Sequence, residues 1–126
     1  MPLPREDQEW LEKQSIFYRE ERNGNDQCLI FSALLLPPGK YNVNEVDVLN
    51  LLPPNYPDAG PDMFYVRPRL TLANGQLARA TDANGAFLGE TWQRWSRHWN
   101  DNPWRAGIDD VQTIYRRITR ALSEAA

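Results

Sequence analysis

An α+β fold is predicted for the chain: an N-terminal helix, a four-stranded antiparallel meander and a C-terminal helix, with residues 1–126 forming one domain. Three observations predict it. Apolar side chains recur at helical spacing near the two ends of the chain. Between those ends lie short apolar runs of strand length. Ten prolines and seven glycines punctuate the runs and end elements abruptly. A hydrophobic content of 41% supplies a core and is too high for a disordered chain.

The first helix is expected from Pro4 to Glu21. Proline is tolerated in a first helical turn, and acidic residues follow it. Trp10, Leu11, Gln14, Phe17 and Tyr18 fall on one helical stripe. Asn23-Gly24-Asn25-Asp26 breaks the chain. Gln27 to Leu36 carries Cys28, Ile30, Phe31 and Leu34 and reads as the first strand, ended by Pro37-Pro38-Gly39. Val43 to Leu52 alternates through Val46, Val48, Leu49 and Leu51 as the second. Met63 to Val66 reads as the third. Arg69 to Ala78 reads as a fourth strand or hairpin, because Asn74-Gly75 favours a tight turn.

Thr81 to Gly89 contains glycine and is expected as loop. Trp92 to Trp99 is not assigned by periodicity; strand and short helix both fit. Pro103 to Gly107 is a turn. The last helix is expected from Ile108 to Ser123. Asp109 and Asp110 suit its N-terminus, and Arg116, Arg117 and Arg120 its C-terminal half. Ile108, Val111, Ile114 or Tyr115, Ile118 and Leu122 supply the buried stripe.

Composition narrows the function. A net charge of −3 gives no basic field to hold a phosphate backbone, so nucleic acid is not an expected partner. The apolar runs are short and interrupted by proline, so no membrane span is expected. The stretch from Met1 to Asp7 is polar and acidic with no signal-peptide layout, and a cytoplasmic location is expected. One cysteine excludes an intramolecular disulfide and a cysteine-based zinc cage, and one histidine excludes a multi-histidine metal site. No cofactor is expected.

Leu52-Pro53-Pro54-Asn55-Tyr56-Pro57-Asp58-Ala59-Gly60-Pro61 follows the second predicted strand and precedes the third. Prolines fix φ and remove donors, so such a crossing needs few hydrogen-bond partners. Tyr56-Pro57 is a candidate cis bond. The segment resembles the F/L-P-x-x-Y-P-x-x-x-P signature of the ubiquitin-conjugating (UBC-like) superfamily. Trp104-Arg105-Ala106-Gly107-Ile108-Asp109 sits where that superfamily has a W-S-P-A turn into its next helix. A bacterial branch, prokaryotic family E, is more similar still. The likeness to it runs through Leu36 to Lys40, Leu52 to Phe64, Trp92 to His98 and Trp104 to Gly107. The resemblance implies a UBC-like fold across the whole chain. It also implies two partners, a ubiquitin-like protein and a ThiF-like activating enzyme that supplies it.

The superfamily's usual nucleophile is a cysteine about two dozen residues after the Tyr-Pro, preceded by H-P-N, whose asparagine helps stabilise the developing oxyanion. This chain has neither. Cys28 lies upstream in a predicted strand and reads as a small buried side chain. The usual spacing from Tyr56 falls on Thr81, within Arg79-Ala80-Thr81-Asp82. One expectation is therefore a hydroxyl, Thr81 or Ser96, that carries the partner's C-terminus as an oxyester. A hydroxyl needs an adjacent base. His98 is the histidine available for that task, and Asp82 is the carboxylate nearest Thr81 in sequence. The other expectation is a domain without catalysis that binds the ubiquitin-like protein or the activating enzyme. The bland readings are a structural histidine, a loop or cap threonine, and a serine bonded to backbone. Trp92, Trp95, Trp99 and Trp104 read as core, while tryptophans among arginines also suit a protein-contact surface.

Overall fold

The computed structural model describes residues 3–126; Met1 and Pro2, the start of the polar N-terminal stretch, lie outside the described residues. Helix α1 (Arg5–Lys13) is followed by β1 (Tyr18–Asn23), β2 (Asp26–Leu35), β3 (Glu45–Leu52), β4 (Phe64–Arg67), β5 (Ala83–Phe87), β6 (Glu90–Trp95) and helix α2 (Val111–Glu124). The strands form one antiparallel sheet in the order β1-β2-β3-β4-β6-β5. The α+β expectation holds, but among the described residues the sheet has six strands rather than the expected four.

The first correction concerns the N-terminal helix, which stops at Lys13 rather than Glu21. Ser15 takes a left-handed φ of 58°, Ile16 N–H reaches back to Leu11 O at 3.0 Å and Ser15 N–H to Glu12 O at 3.1 Å. Those paired bonds close the helix as a Schellman turn does, here without glycine. Tyr18 to Asn23 then becomes an edge strand, hairpinned to β2 across Gly24-Asn25 with Gly24 at φ +63°. Phe17, expected on the buried stripe, is 74% exposed.

The second correction lies between β4 and β6. Arg69 to Ala78 is not a strand; Tyr41 and Leu72 form an isolated bridge, and the Asn74-Gly75 turn forms, with Leu72 N–H donating to Gln76 O at 2.8 Å. The expected loop at Thr81 to Gly89 contains β5 instead. It pairs with β6 across Leu88-Gly89, both at positive φ (55° and 74°), as a two-residue I′ hairpin requires. The tryptophan-rich segment thus supplies a strand, β6, whose neighbour on the other side is β4.

Both helices cover one face of the sheet. Leu11, Val111, Ile114, Ile118 and Leu122 bury against Leu29, Phe31, Val48, Phe64, Val66 and Trp95. Each such side chain contributes about 1.5–3 kcal/mol when fully buried. The start of α2 is fixed by a capping box: Asp110 accepts from Gln112 N–H, and Thr113 Oγ1 accepts from Asp110 N–H. Ile108, expected in the stripe, precedes the helix and is 64% exposed. At the other end, Tyr41 and Lys40 donate to the carbonyls of Leu122 and Ser123 at 2.5 and 2.8 Å, which occupies acceptors the helix leaves open. Burial pushes the pKa of the Tyr41 phenol up to about 12.

The opposite face buries Cys28, Ile30, Leu49 and Trp92 in a second cluster, flanked by Leu51, Tyr65, Phe87 and Leu88. No helix lies there among the described residues. Leu88 N–H donates to Asn23 Oδ1 at 2.9 Å, joining the β5–β6 turn to the end of β1. The sheet's two outer strands therefore meet at one corner, and the sheet curls over this cluster. Among the described residues, no helix is long and apolar enough to cross a membrane.

Candidate functional site

The proline-rich crossing runs from the end of β3 to the start of β4. Its Tyr56-Pro57 bond is cis, as the sequence suggests, and Arg67-Pro68 is cis as well. Tyr56 points inward and donates to Asp7 Oδ2 at 2.6 Å. Asp7 is 3% exposed and also accepts from Val111 N–H, so one carboxyl joins α1, the crossing and the start of α2. Burial raises the Asp7 carboxyl above its ordinary value, against the two hydrogen bonds that lower it. Burial and the adjoining carboxylate drive the Tyr56 phenol far up as well.

Trp104 lies over the same crossing. Its indole N–H donates to Pro57 O at 2.8 Å, and its ring sits 6.0 Å from that of Tyr56. A Cβ on Gly60 would stand 2.2 Å from Trp104 Cε3, so a glycine is needed beneath the ring. Two of the segments that carry the family resemblance, Leu52 to Pro61 and Trp104 to Gly107, therefore touch. Asp109 holds the second segment in its turn, accepting from Arg105 N–H at 2.7 Å and from Thr113 Oγ1 at 3.0 Å.

Beyond Pro61 the crossing opens to solvent. Asp62 Oδ2 lies 3.0 Å from His98 Nδ1, both side chains being more than half exposed (61% and 52%). When Nδ1–H is donated to the carboxylate, Nε2 of the neutral ring keeps its lone pair. The pair is thus arranged to take a proton at Nε2. Trp99 follows, and Arg117 stacks on it at 5.1 Å and on Trp104 at 5.7 Å, while donating to Asn102 O.

The expected hydroxyls are placed differently from each other. Thr81 is fully buried, and its Oγ1 donates to Ala78 O at 2.8 Å. The buried amide of Gln93 holds the surrounding segment. Gln93 Nε2 donates to Thr81 O and Leu70 O at 3.0 and 3.1 Å, and Oε1 accepts from Leu70 N–H and Trp95 Nε1 at 2.9 and 3.1 Å. Asp82, next along, is exposed. Ser96 is half-buried, and its backbone N–H donates to Ala80 O at 3.1 Å, which sets it beside the Ala80-Thr81 segment. Among the described residues, no hydrogen bond joins His98 to Thr81, Asp82 or Ser96; its partner is Asp62.

Cys28 is fully enclosed in the second cluster. Burial, together with Asp26 and Glu21, pushes its thiol up, which is the opposite of what a reactive thiolate needs. Trp92 and Trp95 are core residues, whereas Trp99 and Trp104 are partly exposed. Among the described residues, no group of three or more histidine, cysteine, aspartate or glutamate side chains could hold a metal ion.

The residue that sequence reasoning misses is Asp62. It lies 36 positions from His98, and only the fold joins them. A signal is present in the chain: Asp62 is the acidic residue that leaves the proline-rich segment, within Pro61-Asp62-Met63-Phe64, part of the stretch that carries the family resemblance.

No curated protein and no solved structure matches the chain significantly. The family described as prokaryotic E2 family E matches residues 3–125. The match spans both helices, all six strands, the crossing and the His98–Asp62 pair. The chain belongs to prokaryotic E2 family E.

Proposed function

We propose that this protein is a conjugating transferase, acting in the cytoplasm, that accepts a ubiquitin-like protein from a ThiF-like activating enzyme and passes it on through a non-cysteine nucleophile. Membership of an E2 family supports a conjugating role in general. The observation that carries the finer reading is the His98–Asp62 pair beside the proline-rich crossing. A carboxylate that orients an imidazole is the arrangement a weak hydroxyl nucleophile needs.

In this reading His98 Nε2 takes the hydroxyl proton as the oxygen attacks the thioester carbonyl carbon of the incoming partner. An oxyester bond forms, the carbon–sulfur bond breaks, and the activating enzyme's thiolate leaves with the proton returned by His98. Ser96 is the favoured hydroxyl, being half-buried and two residues from His98. Thr81, with Asp82 beside it, would serve only if the Ala78 bond opened.

Mixing the protein with its activating enzyme, ATP and the ubiquitin-like partner tests the proposal. A hydroxylamine-labile adduct that survives mild thiol is expected, lost in Ser96→Ala or Thr81→Ala and in His98→Gln. Absence of any adduct would sink it.

A second reading has its own support: both Thr81 and Cys28 are fully buried. In that reading the domain binds the ubiquitin-like protein or the activating enzyme without chemistry. Binding unchanged in Thr81→Ala, Ser96→Ala and His98→Ala, with no transfer in the parent protein, would favour it.

A further inference from the structure

His98 also lines a cleft of about 570 Å³, bounded by the C-terminal part of α2 and the segment after β6. Arg79, Arg97, Arg117 and Arg120 line it, with His98 and Trp99. The four guanidiniums exceed the two acidic side chains of the lining, Asp101 and Glu124, and Ala126 also lines it, its O accepting from Arg79 N–H at 3.2 Å. Among the described residues, Arg79, Arg97 and Arg117 have no carboxylate in ion-pair contact, and Arg120 pairs with the exposed Glu124. Arg97 is spread over the Trp95 ring at 4.8 Å and donates to Arg79 O at 2.9 Å, which fixes its guanidinium at the cleft wall. Burial, then the neighbouring Arg79, lowers the Arg97 pKa. Arg117 is fixed between two tryptophan rings, and its Nε is buried without a partner.

We infer that this cleft docks an acidic peptide segment of a partner protein, its carboxylates set against the arginines and its backbone along Trp99. Three features favour an acidic peptide over a phosphate-bearing ligand. The C-terminal turn of α2 lines the cleft, and its partial negative charge opposes a compact dianion. Asp101 and Glu124 also line the cleft and do the same. The volume lies within the roughly 300–1,000 Å³ of small-ligand sites and exceeds what one phosphate fills. A net charge of −3 further disfavours an extended polyanion such as nucleic acid. Separated carboxylates on a flexible chain meet separated guanidiniums without concentrating charge at one point.

The test is fluorescence polarisation of a labelled hexaglutamate peptide against the whole protein, with a hexaglutamine peptide as control. Saturable binding that weakens as salt rises is expected for hexaglutamate alone. The double variant Arg79→Glu, Arg120→Glu changes two exposed side chains and should weaken binding roughly tenfold or more. Arg5→Gln, on α1 and outside the cleft, should leave binding unchanged. Equal binding of hexaglutamine, absence of saturable binding, or no loss in a folded double variant would each overturn the inference. Displacement of the peptide by inorganic phosphate at lower concentration than by free hexaglutamate would overturn it too, in favour of a phosphate ligand. The assay contains no activating enzyme and no transfer step, so its failure is separate from failure of the transferase reading.

Discussion

The proline-rich crossing has two sides, and the fold treats them in opposite ways. On the inner side a carboxyl is buried: Asp7 accepts from Tyr56 and from the Val111 backbone, and Trp104 seals the junction over Gly60. On the outer side a carboxylate is left in water: Asp62 meets His98 with both side chains more than half exposed. The stretch 52–62 thus takes part in two unlike pairs. Through Tyr56 it grips the carboxyl that anchors three elements, and through Asp62 it presents an imidazole. Burial decides the difference. A buried polar pair is costly to break, whereas an exposed polar pair stabilises a fold by no more than about 0–1 kcal/mol and is free to serve chemistry.

That contrast can be broken from the inside first. Asp7→Ala leaves the Tyr56 hydroxyl and the Val111 N–H without their acceptor and should cost about 3 kcal/mol in urea unfolding. Asp7→Asn, which keeps an acceptor, should recover most of the loss. Gly60→Ala drives a methyl into the Trp104 ring and should cost about 2 kcal/mol, with a changed near-ultraviolet dichroism from the displaced indole.

Tyr56→Phe should cost about 1 kcal/mol at neutral pH. The pH dependence of that loss has a definite sign. The Asp7 carboxyl already titrates above its ordinary 3.8, so its ionised form costs stability at neutral pH, and acidification from the raised value towards 3.8 relieves that cost. Removing the Tyr56 hydrogen bond raises Asp7 further, so the destabilisation should be largest when Asp7 is charged and fade as it protonates. Asp109 works the other way. Burial pushes its carboxyl up, but Arg105 and Thr113 outweigh this and hold it below 3.8. Its stabilisation is present above 3.8 and is lost as pH falls through the lowered value. A stability profile of Tyr56→Phe whose deficit grew on acidification would reject this assignment.

The outer side should give the smallest change in stability and the largest change in function. His98→Gln should alter the unfolding free energy by no more than about 0.5 kcal/mol while abolishing adduct formation. A stability loss as large as that of Asp7→Ala would show that the pair is structural.

The inner side is partly legible in the amino-acid sequence, and the outer side is not. The crossing announces itself because its prolines and Tyr56 are contiguous. Helix α2 does so because its stripe, Asp110 and Thr113 follow local rules of period and capping. Periodicity draws helix α1 too long because Ser15 makes a left-handed stop with no glycine to mark it, and because Tyr18 to Asn23 is polar and charged. Strand β5 escapes a local reading because Ala83-Asn84-Gly85-Ala86 has little strand propensity; pairing with β6 makes it a strand. Spacing singles out Thr81, and spacing carries no information on whether a hydroxyl faces a groove or a carbonyl. His98 is visible in the sequence, but its partner is not. Arg79, Arg97, Arg117 and Arg120 are scattered along the chain, and a net negative charge gives no sign that they line one cleft.

The bond between Leu88 and Asn23 has a consequence for self-association. A flat six-stranded sheet offers two long, straight margins on which another chain can build. Here both margins are bent toward each other at one corner. The β1 margin also carries Arg19, Glu20, Glu21 and Arg22 in succession, a run of charge that penalises an incoming strand. Cutting the bond with Asn23→Ala releases that corner. The fold then exposes a less curved border, and the variant should form β-type polymers faster than the parent protein, as followed by thioflavin fluorescence.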